Sequence, residues 1–248
     1  MTMNTNSEAA ARHLAPDGVL RVALNLSNFL LVSGKTPAGE WRGVAPDMAR
    51  ALARALDVPV EWVAYDAPGA VIAAADSGAW AVAFVGADPA RAGSVVFADP
   101  YVEIEAGYLA PPGSPLQHVD DVDRPGCRVC AFRGSAYELW LASHLSHASL
   151  VHGDTFDASF SLFRQGHADV LAGLMPKLLS DCESWPGSRI LQGAFMRVQQ
   201  SVGTAMRNRG GADFVQQVVR HAKASGLVAR LVEQHAIVGL KVSSASAP

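Results

Sequence analysis

The sequence predicts an α/β protein built from two lobes, each a mainly parallel sheet flanked by helices. Its 248 residues exceed the usual size of one domain, and half of them are hydrophobic, which is sufficient for two cores. Apolar runs rich in β-branched residues alternate with helical patterns along the chain. A Pro/Gly cluster at 111–115 separates two stretches that share this alternation. Two α/β lobes therefore account for the length and the pattern.

The first stretch predicts the order β-α-β-α-β. Its long helix has Val44, Met48, Leu52 and Leu56 four residues apart on one face. Strands that alternate with crossover helices form a parallel sheet. The predicted elements are strand 19–24, helix 44–56, strand 58–65, helix 71–79 and strand 82–85.

The second stretch repeats the pattern of the first, and Ser135 is a favourable N-cap for its first helix. We expect strand 128–132, helix 135–145, strand 149–152, helix 158–165, strand 169–172 and helix 176–182. A strand is expected at 199–206, and helices 212–224 and 227–234 are assigned to the first lobe, because the second already has its strands and helices. Lobe 1 is then 18–107 plus 203–240 and lobe 2 is 108–202, with crossings near 105–111 and 201–206. Residues 1–17 and 241–248 are expected to be flexible.

Charge, hydropathy and cysteine usage exclude several classes of protein. A net charge of −3 gives no electrostatic reason to bind nucleic acid, and no apolar run reaches the length of a membrane span. The three cysteines are an odd set, and Cys127 and Cys130 lie in a strand-like run, so buried free thiols are expected. The histidines have no metal-ligand spacing, so neither a metal nor another cofactor is predicted.

One segment indicates an anion site. In Gly86-Ala-Asp-Pro-Ala-Arg91 an arginine follows a buried strand and a turn that leaves backbone N–H groups available. Such N–H groups beside a guanidinium bind carboxylates. The segment therefore predicts a carboxylate-binding residue, Arg91.

The order of these pieces resembles the bacterial extracellular solute-binding proteins of family 3, the polar amino-acid binders of ABC importers. Their fold is the two-lobed type II periplasmic-binding-protein fold. The segments that carry the resemblance are Gly43-Val-Ala-Pro-Asp-Met48, Asp88-Pro-Ala-Arg91, Phe97-Ala-Asp-Pro-Tyr101, Gly113-Ser-Pro115, Arg133-Gly-Ser-Ala136, Gly166-His-Ala-Asp-Val170 and Val202-Gly-Thr-Ala205. No one of them is specific, but their order and spacing from about residue 20 to residue 239 are.

The resemblance implies a small carboxylate-bearing solute held in a cleft between lobes that close by a hinge. Arg91 would hold the carboxylate, with Gly86, Asp88 and the helix start at Ser135 and Ala136 completing that seat. Asn25, Asn28 and Phe29 would face the ligand from the first lobe. The implied partner is an ABC permease, and the protein is expected to be a monomer.

The site departs from the family pattern at the position that usually binds an amino group. The family usually has an acidic residue shortly after the strand at 169–172, where this chain has Leu174. An ammonium in a closed cleft needs a carboxylate or several acceptors. The ligand is then an organic acid without an amine, which we favour slightly, or an amino acid whose ammonium is bound by Asp66, Glu103, Glu105, Asp154 or carbonyls near Asn28. Expected apolar walls are Tyr65, Phe84, Tyr101, Tyr137 and Met175.

Two other functions stay open on the sequence alone. Cyclohexadienyl dehydratases share this fold and use an acid in the cleft, a part that Glu103, Glu105, Asp154 or Lys177 would play here. A binding protein is favoured over an enzyme because no catalytic triad, phosphate loop or metal cluster is visible. A stand-alone metabolite sensor is the third possibility. The resemblance implies a periplasmic location, whereas the absence of a signal peptide from the chain as written implies a cytoplasmic one.

Overall fold

The computed structural model describes residues 5–245, which divide into two compact units. Unit 1 extends to Glu103 and resumes at Gln199, and unit 2 is Ile104–Val198. The chain thus passes from one unit to the other twice, each time within one strand. The boundaries predicted at 107/108 and 202/203 lie a few residues further along the chain.

The helices and strands alternate as the sequence predicts, which confirms the α/β class. No helix within residues 5–245 has the length and apolar composition needed to cross a bilayer. Up to the first crossing the elements are α1 (Thr5–Leu14), β1 (Leu20–Asn25), β2 (Gly34–Lys35), β3 (Trp41–Arg42), α2 (Val44–Leu56), β4 (Val60–Tyr65), α3 (Pro68–Ala73), β5 (Val82–Gly86), β6 (Val95–Phe97) and β7 (Val102–Ala110). They continue as β8 (Arg128–Phe132), α4 (Ala136–His144), β9 (Ser149–Gly153), α5 (Phe156–Arg164), β10 (Val170–Leu174), α6 (Met175–Ser184), β11 (Arg189–Ile190), β12 (Met196–Ala205), α7 (Ala212–Ala224), α8 (Leu227–Gln234) and β13 (Leu240–Val242).

In unit 1, β1 lies between β4 and β5, and all three strands are parallel. The strand β12 pairs antiparallel with β5, and Gln200 lies opposite Gly86. One face of this sheet buries Ala23, Ala83 and Val85 together with Trp80. The carboxyl ends of β1 and β5 therefore meet at one edge of the sheet, where parallel α/β sheets bind their ligands.

In unit 2, β8 lies between β9 and β10, again in parallel, and β7 pairs antiparallel with β10. The helix α4 begins directly beyond the carboxyl end of β8 and is capped by Ser135, whose Oγ accepts a hydrogen bond from the Glu138 N–H at 3.2 Å. The predicted cap is therefore present. Cys130 on β8 is a buried free thiol, and burial raises its pKa to about 11.

The expectation of a flexible segment at 1–17 does not match the structure, in which Thr5–Leu14 is a helix. Ala10 and Leu14 lie four residues apart and are both buried, so one face of α1 is covered. Near the other end of the chain, Leu240–Val242 is a strand and Ser243 is buried, whereas residues 1–4 and 246–248 lie outside the described residues. The helix predicted at 71–79 is instead Pro68–Ala73, because Pro68 is favourable in a first helical turn.

Asp123 is hydrogen-bonded to the loop that precedes β9 in unit 2, and this makes stability depend on pH. Its carboxylate accepts hydrogen bonds from the N–H groups of Ser146, His147 and Ala148 at 2.8 to 2.9 Å, and these bonds lower the pKa of Asp123 to about 2. A depressed pKa stabilises the fold above the unfolded value near 3.8, and this contribution disappears as the pH falls toward 2.

We expect Asp123→Asn to be less stable than the wild type in urea unfolding at pH 6, and the difference to shrink between pH 4 and pH 2. The exposed neighbour Asp120, changed to Asn, is the control and should leave the urea midpoint at pH 6 unchanged. An Asp123→Asn profile parallel to that of the wild type would contradict this role.

Candidate ligand site

The predicted anion site begins where β5 ends. The segment after Gly86 turns into a short 3-10 helix, Pro89–Arg91, and Asp88 caps it, because its Oδ1 accepts from the Ala90 N–H at 2.8 Å. Proline occupies the first position of this turn, where a missing N–H costs nothing. The structure thus gives Asp88 a structural part in positioning Arg91; contact between Asp88 and a ligand stays a prediction.

Arg91 is buried at this edge, with 4% of its surface exposed. Its Nη1 donates a hydrogen bond to the carbonyl oxygen of Gly86 at 2.5 Å. A guanidinium stays protonated even when buried, and it carries five N–H donors in a fixed plane. The site therefore holds a permanent positive charge in a fixed orientation, which suits a carboxylate.

The loop after β1 lies beside this edge in unit 1. Asn25 accepts hydrogen bonds at its Oδ1 from the N–H and Oγ of Ser27, at 3.3 and 2.7 Å, and so shapes the loop. Asn28 is buried, and among the described residues its Oδ1 is buried without a hydrogen-bond partner. Phe29 is 42% exposed, whereas Phe84 lies in the core edge-on to Tyr101. Contact of Asn28 and Phe29 with a ligand stays a prediction, whereas Phe84 packs in the core.

The helix start predicted at Ser135 and Ala136 lies in unit 2. Glu138, 7% exposed, accepts from the Gly134 N–H at 3.0 Å, and its other oxygen lies 2.9 Å from Nε2 of His152. Among the described residues, the N–H groups of Ala136 and Tyr137 have no acceptor. The start of α4 therefore retains two donors in the positive end of the helix dipole. Glu138 was missed from the sequence, although Ser135-x-x-Glu138 is a capping-box pattern.

The position of the missing acidic residue lies at the end of β10. Leu174 is buried there and precedes α6, so this edge of unit 2 carries an apolar side chain. Lys177, in the first turns of α6, is paired with Asp181 and lies 3.7 Å from Asp157. The side chain of Leu174 has no acceptor for an amino group, and its contact with a ligand stays a prediction.

The sequence offers four acidic residues for an amino group, two in each unit. Asp66 is exposed after β4, and the exposed Asp154 pairs with Arg133 at 3.0 Å. Glu103 accepts from Nε2 of Gln199 at 3.1 Å, and Glu105 lies 3.6 Å from Nε of Arg197. Three of them therefore already have a partner within their own unit. The wall candidates Tyr101 and Tyr137 are buried, and burial raises the pKa of each.

Two α/β units, two strand crossings and an arginine at the carboxyl edge of a parallel sheet define a solute-binding protein of the type II fold. The chain belongs to the bacterial extracellular solute-binding proteins, family 3, whose family model matches residues 21–237. A solute-binding role follows from this membership. The predicted family is thereby confirmed.

Solved structures with this fold are similar over nearly their whole length. A mutant of ArgBP from T. maritima is 20% identical, with 91% of this chain and 98% of that chain covered and a TM-score of 0.72. The amino acid ABC transporter substrate-binding protein AbpA from Streptococcus pneumoniae, bound to L-arginine, is 22% identical, with 90% and 96% covered and a TM-score of 0.71. The ancestral amino acid-binding protein AncCDT-1, a precursor of cyclohexadienyl dehydratase, is 20% identical, with 91% and 98% covered and a TM-score of 0.72. No curated protein sequence matches this chain.

Proposed function

We propose that this protein binds a small solute bearing a carboxylate, an amino acid or a related organic acid, without transforming it, and presents it to an ABC-type importer. The observation that carries the proposal is the buried Arg91 at the end of β5. A guanidinium keeps its charge when buried, and a ligand carboxylate can pair with it through two parallel hydrogen bonds. Structures of the same fold hold L-arginine and glutamine, which supports a ligand of this class.

The donors at the start of α4 support the same ligand class in unit 2. Two N–H groups in the first turn of a helix favour an anion over a neutral group. That both units bind one ligand and close on it stays a prediction of the family resemblance. Changing Ala136 to Pro removes one of the two N–H donors and so tests whether unit 2 takes part in binding the ligand.

The placement of the candidate acids and base favours binding over catalysis. Glu103, Glu105 and Asp154 are engaged by Gln199, Arg197 and Arg133, and Lys177 is paired with Asp181. A general acid or base must reach the reacting atom of a substrate. Each of these groups would first have to leave its present partner, which supports binding rather than an elimination.

The proposal is tested by thermal shift with the twenty L-amino acids and their amine-free analogues, followed by calorimetry on the ligands that stabilise the protein. We expect binding with one molecule per chain, and stabilisation of about 3 kcal/mol when the ligand is present at a hundred times its dissociation constant. Mass spectrometry after prolonged incubation should recover the ligand unchanged. A new product would support the dehydratase-like alternative, and failure of every carboxylate to bind would contradict the proposed ligand class.

A further inference from the structure

Gln200 lies directly beside the arginine site in unit 1. On β12 it is opposite Gly86, the residue whose carbonyl oxygen accepts from Arg91. Residues opposite each other in a sheet project to the same face, and glycine has no side chain. The side chain of Gln200 therefore extends over the backbone of Gly86. Gln200 is 3% exposed, yet among the described residues its Oε1 has no hydrogen-bond partner.

Asn28 flanks the same strand end from the opposite side. Its N–H donates to the Asn25 carbonyl at 3.2 Å, which holds Asn28 close to the end of β1. Since β1 and β12 are the two neighbours of β5, and strands lie about 4.8 Å apart, their ends are separated by roughly 10 Å. Within unit 1, two buried amide oxygens without partners among the described residues therefore lie on either side of the Arg91 site.

A buried acceptor without a partner is rare and costly in a folded protein, and two at one strand end indicate a missing donor. Tyr101 does not supply that donor: its N–H donates to the Gln200 carbonyl at 2.9 Å, but its hydroxyl is itself buried without a partner among the described residues. A ligand that carries only a carboxylate offers further acceptors. An α-amino acid offers three N–H groups of an ammonium beside its carboxylate.

We propose that Gln200 and Asn28 bind the ammonium of an α-amino acid through their side-chain oxygens, in place of the acidic residue that Leu174 replaces. The inference rests on the proposed function and decides between its two ligand classes in favour of the amino acid. Neutral acceptors are sufficient, because Arg91 already balances the carboxylate of a zwitterion. The positive group needs hydrogen bonds rather than a second counter-charge.

The test uses the L-amino acid that stabilises the wild type most and the same molecule with hydrogen in place of its amino group. Gln200→Leu has nearly the same volume and removes the acceptor. We expect it to weaken the amino acid about tenfold to a hundredfold and the amine-free analogue less than about twofold, because hydrogen bonds to charged groups are the strong ones. Asn28→Leu should act in the same direction, whereas Gln200→Glu should tighten the amino acid.

Thr204→Val is the matched control. Thr204 lies on β12 four residues beyond Gln200, and its Oγ1 is also buried without a partner among the described residues, but it is opposite Val82, away from the strand ends. Both substitutions remove a buried oxygen that has no hydrogen-bond partner among the described residues, so neither should lower the urea midpoint of the unliganded protein. Only Gln200→Leu should change the ratio of the two affinities.

The outcomes separate this inference from the proposed function. If the wild type binds both probes equally, or if Gln200→Leu weakens both alike, the ammonium is not bound here although the carboxylate site stands. If neither probe binds to the wild type, the proposed function fails and this inference with it. If Gln200→Leu does not fold, Gln200→Glu carries the test, and unchanged affinity for the amino acid overturns the inference.

Discussion

The Arg91→Met variant is expected to bind its carboxylate ligand about a thousandfold more weakly than the wild type, a loss of about 4 kcal/mol. Methionine has a similar length and apolar character but no charge and no N–H donor. The carboxylate would then enter a buried edge without a counter-charge, and its desolvation would no longer be offset. Arg91→Lys retains the charge as a point on a flexible stem, so we expect an intermediate affinity.

Arg50→Met distinguishes loss of binding from loss of folding. Arg50 in α2 also donates to a backbone carbonyl, that of Trp41 at 2.7 Å, and is partly buried in unit 1. Both variants leave a carbonyl oxygen without its donor, which costs about 1 to 3 kcal/mol of stability. Calorimetry should show undiminished affinity for Arg50→Met only. An Arg91→Met protein that binds as tightly as the wild type would rule out the anchor role.

Local patterns in the sequence predict most of the helices correctly. The bounds of α2, α7 and α8 agree with the prediction, because apolar residues spaced three and four apart mark one buried face. The helix α1 was missed because its sequence is rich in alanine and polar residues and shows only a weak apolar stripe. Burial of Leu14 against Gly211, where an added Cβ would lie 2.4 Å from the Leu14 side chain, depends on packing that no local pattern reports.

The candidate site is predictable to a smaller extent. A cation that follows a buried strand is visible in the sequence, and the structure has Arg91 at that strand end. The neighbour across the sheet is not visible, because which residue of β12 lies opposite Gly86 depends on the register between strands far apart in the chain. Gln200 therefore emerged only from the fold. The capping residue Glu138 was within reach of the sequence, but its contact with His152 of β9 was not.

The Gly43→Ala variant is expected to lose about 3 kcal/mol of stability or more, a large effect for the addition of one methyl group. Gly43 precedes α2 with a φ of 131°, a backbone conformation that residues with a side chain rarely adopt. A Cβ there would lie 2.2 Å from the carbonyl oxygen of Leu31. That oxygen also accepts from the Ala45 N–H at 3.1 Å, so neither backbone segment can move without losing a hydrogen bond.

Gly39→Ala separates the clash from the backbone strain. Gly39 has a φ of 83°, but an added Cβ would have no atom within 4 Å, so only the left-handed conformation opposes the change, at about 1 to 2 kcal/mol. Urea unfolding of both variants should show the larger loss for Gly43→Ala, and equal losses would contradict the close contact with Leu31. Leu31 lies in the loop that carries Asn28, whose carbonyl accepts from the Leu31 N–H at 3.0 Å. Relief of the clash therefore displaces the loop that carries Asn28. We expect the folded fraction of the Gly43→Ala protein to bind its ligand more weakly as well.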